Sequence, residues 1–328
     1  MRLEVKGVSP GVNQMENTMK QQKLTTLGKV FDRVDKMSAN CYDQNIDVPD
    51  ISFDNLDVLR IAGEPHSVRP VAQRSISNRL GIPYPYLRRC PTDVQAMNLN
   101  HWITKEKNDQ LLFRFDGQDV RAVFTTKYIP VDNFEVCERL DSLRYGPDTE
   151  VQCHLDPEFM SLSIPDGAKA FDINGDRFKP GISISNSEVG LASLSIAAFV
   201  LRLVCTNGMV AKTDVSASYR HVSTKVLTEF PQILDKVSYE LGSQRTQFQI
   251  SMESSVDDPL ATMNSFNRQF GLNNDEKEAL TWAWPYEIGG TMFNVVNAYT
   301  RAAQMEGLSA ESSYRLQKVG GNILAMLN

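Results

Sequence analysis

The 328-residue sequence carries none of the motifs that name a reaction. It has no CxxC, HxxxH or HExxH spacing, which removes the common zinc patterns. No GxSxG accompanies a serine, and Ser187 beside Glu188 is not a triad. A Walker-type loop and a dinucleotide fingerprint are also missing, since Gly320-Gly321 lacks the lysine and the preceding strand. Histidine is scarce (His66, His101, His154, His221), and no spacing pairs one with a nucleophile. The five cysteines (Cys41, Cys90, Cys137, Cys153, Cys205) are odd in number and scattered, which argues for reduced thiols rather than a disulfide framework. No apolar run reaches membrane-span length, because Leu191 to Val204 is short and broken by Arg202. The first 22 residues lack the apolar stretch of a signal peptide. These absences predict a cytoplasmic protein, away from membranes, with no catalytic residue, metal or cofactor that can be named.

What is present is ordinary in bulk and uneven in detail. Hydrophobic residues make up 41% and charged residues 23%, a balance that suits a globular chain with one large core or two modest ones. The net charge is −6, yet Arg60, Arg69, Arg74, Arg79, Arg88 and Arg89 crowd one stretch that holds a single acid, Glu64. A local excess of this kind can bind phosphate on an acidic protein, or can be a solvated helix face that balances acids elsewhere.

The expected fold class is α+β, an antiparallel sheet built of hairpins, with a helical entry and a helical C-terminal region. Thr25 to Met37 places Leu27, Val30, Phe31 and Val34 on one helical face, while Asn40 to Asp57 reads as loop or short extended pieces. Residues 1–58 are therefore expected as a polar, partly ordered arm, 59–225 as the α+β core and 226–328 as helices packed on it. Pro70 suits a first helical turn, and Val71, Ala72, Ile76 and Leu80 follow at helical spacing up to Gly81. Helix, glycine and a second short helix outline a helix-turn-helix, but Pro85 would fall inside the recognition helix, so a plain helix hairpin is expected.

Hairpins are expected across Asp116-Gly117, Asp156-Pro157 and Asn174-Gly175. Asp172 to Asp176 imitates the opening of a calcium loop, but position six is Arg177 and position twelve is Ser183, so the hairpin reading stands. Lys179 to Met209 supplies two strand-like runs around the polar triplet Asn186-Ser187-Glu188, with Leu194 to Val204 as a central strand. Helices are then expected over Leu227 to Phe248, after Asp258, after Asn274-Asp275, over Thr291 to Met305 and over Ser309 to Met326.

Interleaved aromatic and basic residues are the remaining chemical signal. Tyr84, Tyr86, Arg88 and Arg89 lie together, Arg74 and Arg79 precede them, and Arg114, Arg121 and Lys127 sit on or beside the Asp116-Gly117 hairpin. Arginines on the backbone with aromatics stacked on bases is a mode of single-strand binding without sequence preference. Tyrosines in the core and solvated arginines are the bland counterpart. Trp282 to Tyr286 reads as core or oligomer contact.

Five segments carry a family likeness: LGIPYPYLRR (Leu80–Arg89), VRAVFTTKYIPVDN (Val120–Asn133), PGISISNSEVG (Pro180–Gly190), RLVCTNGM (Arg202–Met209) and FNVVNAYTRAAQ (Phe293–Gln304). On these the chain resembles the phage/plasmid-like family, a domain of unknown function carried by phages, prophages and conjugative plasmids. The resemblance implies a role in the DNA metabolism of mobile elements and no established catalytic residues. Its sheet-plus-helix outline is similar to that of phage single-strand annealing proteins. The expected function is a non-enzymatic, self-associating protein that binds single-stranded DNA in recombination or annealing. The rivals are an assembly protein without DNA binding, and an enzyme with a dispersed site at Asn186, Glu188 and His221.

Overall fold

The computed structural model describes residues 24–143, 145–203, 207–210, 217–219, 232 and 244–327. The fold is α+β, as the hairpin pattern predicts, but the strands form two sheets rather than one.

The first sheet has the order β2-β6-β7-β5-β4-β3. Its strands are β2 (Cys41–Asp47), β3 (Ile51–Phe53), β4 (Val58–Ile61), β5 (Glu64–Val68), β6 (Gln110–Asp116) and β7 (Asp119–Thr125). All neighbours are antiparallel except β5 and β7. Three helices, α2 (Pro70–Arg79), α3 (Tyr84–Leu87) and α4 (Thr92–Ile103), join β5 to β6 and cover one face. They bury Ile76, Leu87, Leu99 and Ile103 against Phe53, Leu59, Leu111 and Phe113. Of the arm expected over 1–58, residues 24–58 are described, and they form a helix and strands. Ile51 and Phe53 enter this core, and β2 pairs with β6 along its whole length. Asn40 to Asp57 looked loop-like because β2 is mostly exposed; backbone pairing rather than apolar alternation makes it a strand.

The second sheet has the order β1-β8-β9-β11-β12-β13, with β10 paired to β11 and β14 to β12. It comprises β1 (Thr25–Thr26), β8 (Glu150–Leu155), β9 (Met160–Pro165), β10 (Phe171–Ile173), β11 (Asp176–Asn186), β12 (Leu194–Arg202), β13 (Asn207–Val210) and β14 (Ala217–Tyr219). The hairpins across Asp156-Pro157 and Asn174-Gly175 form as expected. Asn174 and Gly175 have φ of +51° and +88°, the left-handed geometry that a tight hairpin turn requires. The long apolar run of β12 is explained by burial on both faces. Leu194, Ile196, Ala198 and Val200 join one hydrophobic cluster, whereas Ala197, Phe199 and Leu201 join another.

Helices α1 (Leu27–Ser38) and α5 (Asn133–Leu143) share the large core of this sheet with the C-terminal helices. The latter are α6 (Gln244–Glu253), α7 (Pro259–Gln269), α8 (Asn274–Ala283), α9 (Met292–Ala302) and α10 (Ala310–Leu324). Side-chain caps at Asp258, Asn273 and Ser309 start α7, α8 and α10. Most of the helix expected over Leu227 to Phe248 lies outside the described residues. Burial therefore groups residues 46–123 around the first sheet, and α1 with residues from 131 onward around the second, so the boundary expected at residue 58 falls inside one core.

Candidate functional site

The nine residues proposed from the sequence separate into two environments. Arg114 and Arg121, expected on or beside the Asp116-Gly117 hairpin as part of the DNA-binding set, are both buried, at 3% and 6% exposure. A β-bulge explains how they converge. Arg114 pairs with Ala122 and Phe115 with Val120, which leaves Arg121 as the extra residue in β7. Both guanidinium groups then reach the turn after β11, where Glu188 sits in the Asn186-Ser187-Glu188 triplet.

That junction is a polar network in which Arg121 Nε and Asn186 Oδ1 find no partner among the described residues. Arg114 donates from Nε to Asp43 (2.8 Å), from Nη1 to the Glu188 carbonyl (3.0 Å) and from Nη2 to Asp132 (2.5 Å). Arg121 donates from Nη2 to Glu188 Oε2 and from Nη1 to Cys41 Sγ (2.9 Å). Glu188 Oε1 accepts the Asn133 amide N–H at 2.7 Å. Asn186 donates to the Val131 carbonyl and to Asn133 Oδ1, and the Ser187 hydroxyl donates to the Glu158 carbonyl at 2.8 Å. Burial lowers the Arg114 pKa, but Asp132 and Asp43 outweigh it, so the net shift is upward and the group stays charged. Desolvation raises the Cys41 thiol more than Arg121 lowers it, which keeps the thiol protonated. Gly190 closes the turn with φ +83°, and a Cβ there would lie 2.7 Å from the Phe124 ring of β7.

The network fastens the second sheet to the first. Every nitrogen of Arg114 is engaged and Arg121 faces a carboxylate, so neither is placed to hold a DNA backbone. A cavity of about 240 Å³ adjoins them, lined by Lys36, Arg69, Asp116, Arg121, Asn133 and Glu188 among others. Its cations are largely offset, because Arg69 bonds Asp116 at 2.6 Å and Asp119 at 3.2 Å. Asn186 and Glu188, considered as parts of a dispersed active site, are committed to this network, and His221 lies outside the described residues. Among the described residues no cluster of three His, Cys, Asp or Glu side chains could hold a metal.

The other residues lie on the helical cap of the first sheet or at its margin. Arg79 pairs with Glu106 at 3.6 Å, and the half-buried Tyr84 donates its hydroxyl to Gln73. Arg88 pairs with Asp57 at 2.8 Å, both side chains being half exposed. Arg74, Arg89 and Lys127 are exposed and form no ion pair with a described residue; Arg74 and Arg89 donate only to the carbonyls of Pro70 and Pro85. Tyr86 is 49% exposed, and Trp102 at the end of α4 is 45% exposed beside His101. The helix-turn-helix outline ends as a single four-residue turn in α3, too short to enter a major groove. The sequence reading missed Asp43, Asp132 and Asn133; the one local hint was a carboxylate closing an otherwise buried strand.

Fold and site together define an α+β protein whose two sheets are locked by a buried arginine–carboxylate junction. The chain belongs to the family described as a domain of unknown function (DUF932), whose model matches residues 121–319. That span takes in Arg121, Asn133, Asn186 and Glu188 but not α2 to α4. Neither the comparison with curated proteins nor that with solved structures found a match. No helix among the described residues is long and apolar enough to cross a membrane.

Proposed function

We propose that the protein binds single-stranded DNA through the α2–α4 cap, as a non-enzymatic, self-associating recombination or annealing protein of a phage or other mobile element, in the cytoplasm of a bacterial host. The observation that carries this reading is the exposed Tyr86 ring on a one-turn helix that Arg88 and Arg89 directly follow. A half-exposed tyrosine offers a stacking face, and base–aromatic stacking contributes about 1–3 kcal/mol per base. Trp102, Lys105 and Lys107 are exposed at the far end of α4, and Arg74 is exposed on α2. The Arg88–Asp57 pair is solvent-exposed and worth about 1 kcal/mol at most, so a phosphate can replace Asp57. The resemblance to phage/plasmid-like proteins supports the DNA context. Arg114 and Arg121 leave the binding set.

The test is fluorescence anisotropy with a labelled oligonucleotide at several salt concentrations. Binding that weakens steeply with salt supports the reading, with Tyr86→Ala and Arg89→Ala each losing about tenfold or more, as expected for one stacked base or one phosphate contact. Absence of binding at low salt, or affinity indifferent to both salt and these substitutions, overturns it. The assembly reading is favoured by a different observation, the exposed Leu260, Tyr286 and Ile288 in the C-terminal region. Assembly indifferent to DNA in light scattering favours it over the first.

A further inference from the structure

A groove of about 570 Å³ runs between α7 and α8 in the C-terminal region, away from the helical cap. The two helices are consecutive and joined by a short turn, so the start of α7 lies beside the end of α8. One end of the groove is therefore apolar, with Leu260 from α7 and Trp284-Pro285 following α8. The turn end is cationic, with Arg268 closing α7 and Lys277 near the start of α8. Both cations are exposed, neither forms an ion pair with a described residue, and no carboxylate lines the groove. On a chain of net charge −6 this is a local reversal of sign.

The floor adds a second observation. Asn267 is 9% exposed and lines the groove. One atom of its amide bonds the Tyr299 hydroxyl at 2.7 Å, a hydroxyl that also donates to the Met263 carbonyl at 3.0 Å, and the other amide atom has no partner among the described residues. A polar group of a ligand lying in the groove, such as a peptide backbone amide, can bond that atom.

We propose that this groove docks a short acidic segment of a partner protein in extended form, carboxylates at Arg268 and Lys277 and one large apolar side chain at Leu260 and Trp284. From Leu260 to Arg268 a helix rises about 12 Å, which an extended chain covers in roughly three to four residues. That separation sets the spacing between the acidic cluster and the apolar anchor. The proposal stands independently of the DNA reading, because no residue of the cap takes part.

The experiment uses the whole chain and a fluorescein-labelled octapeptide with three aspartates followed, three residues later, by a phenylalanine. Saturable binding is expected, weakened about tenfold or more by Arg268→Glu, by Lys277→Glu and by replacing the phenylalanine with serine. Both cations are exposed and form no ion pair with a described residue, so circular dichroism should show the variants folded. An asparagine-for-aspartate peptide that binds equally well, or no binding of the acidic peptide at millimolar concentration, overturns the proposal. Self-association of the wild type that Lys277→Glu abolishes also overturns it, because the groove would then be an interface between copies of this chain.

Discussion

Replacing Glu188 by alanine tests the junction most sharply. Glu188 is 12% exposed at its side chain and Arg121 7%, so the substitution leaves a guanidinium buried without its counter-charge. Losing one partner of a buried ion pair costs about 3–5 kcal/mol, and the Asn133 amide loses its acceptor, a further cost of about 1–3 kcal/mol. The adjoining cavity admits water to both orphaned groups, and Arg121 keeps its contact with Cys41, so the net loss sits near the lower end, about 3–4 kcal/mol. The assay is urea denaturation at neutral pH of the wild type, Glu188→Ala, Arg121→Met and the double variant. Removing the arginine charge as well should recover about 2 kcal/mol relative to the sum of the single changes. A Glu188→Ala protein within about 1 kcal/mol of the wild type, or strict additivity in the cycle, refutes the reasoning.

The remaining predictions concern pH, packing and ligand binding. His154 is fully buried, and desolvation lowers its pKa to about 4, so the unfolded chain binds the extra proton below pH 6.5. Stability should therefore fall as pH drops from about 6.5 to 4, by up to about 3 kcal/mol, and His154→Gln should flatten that part of the denaturation profile. At Gly181 a Cβ would lie 2.0 Å from the Ile164 carbonyl oxygen of the neighbouring strand. Gly181→Ala should accordingly lower stability by about 3 kcal/mol or leave the protein insoluble, measured as the urea midpoint and the soluble yield. Tyr86→Ala and Arg89→Ala should weaken oligonucleotide binding yet leave the urea midpoint unchanged, since both side chains are exposed.

The hairpins were legible in the sequence because their determinants are local. Asn174-Gly175 and Asp156-Pro157 sit between alternating runs, and the caps at Asp258 and Ser309 stand next to the helices they start. The second sheet's central strand was legible because burial on both faces leaves an unbroken apolar run in β12. Strand β2 was not, because CYDQNID keeps most of its side chains in solvent and owes its place to backbone pairing with β6. The arginines could not be sorted from the sequence for a related reason. Asp43, Asp132 and Glu188 lie between 18 and 74 positions from the guanidinium groups they hold, so only the register of two sheets reveals which cations are neutralised. Arg88 and Arg89 are adjacent, yet one meets Asp57 and the other meets no acid among the described residues. Within the Asn186-Ser187-Glu188 triplet, Ser187 serves its own turn by accepting the Leu191 N–H at 3.1 Å, while Asn186 and Glu188 bond loops and strands across the junction.

The central claim is that the helical cap, and not the hairpin arginines, meets the nucleic acid. Photochemical cross-linking of a bromodeoxyuridine-substituted oligonucleotide, followed by mass spectrometry of the peptides, tests it most directly. The account predicts adducts at Tyr86 and Trp102, lost when the competitor is unlabelled single-stranded DNA. Adducts confined to the β6–β7 hairpin or to the C-terminal helices, or no adducts under conditions of binding, would contradict it.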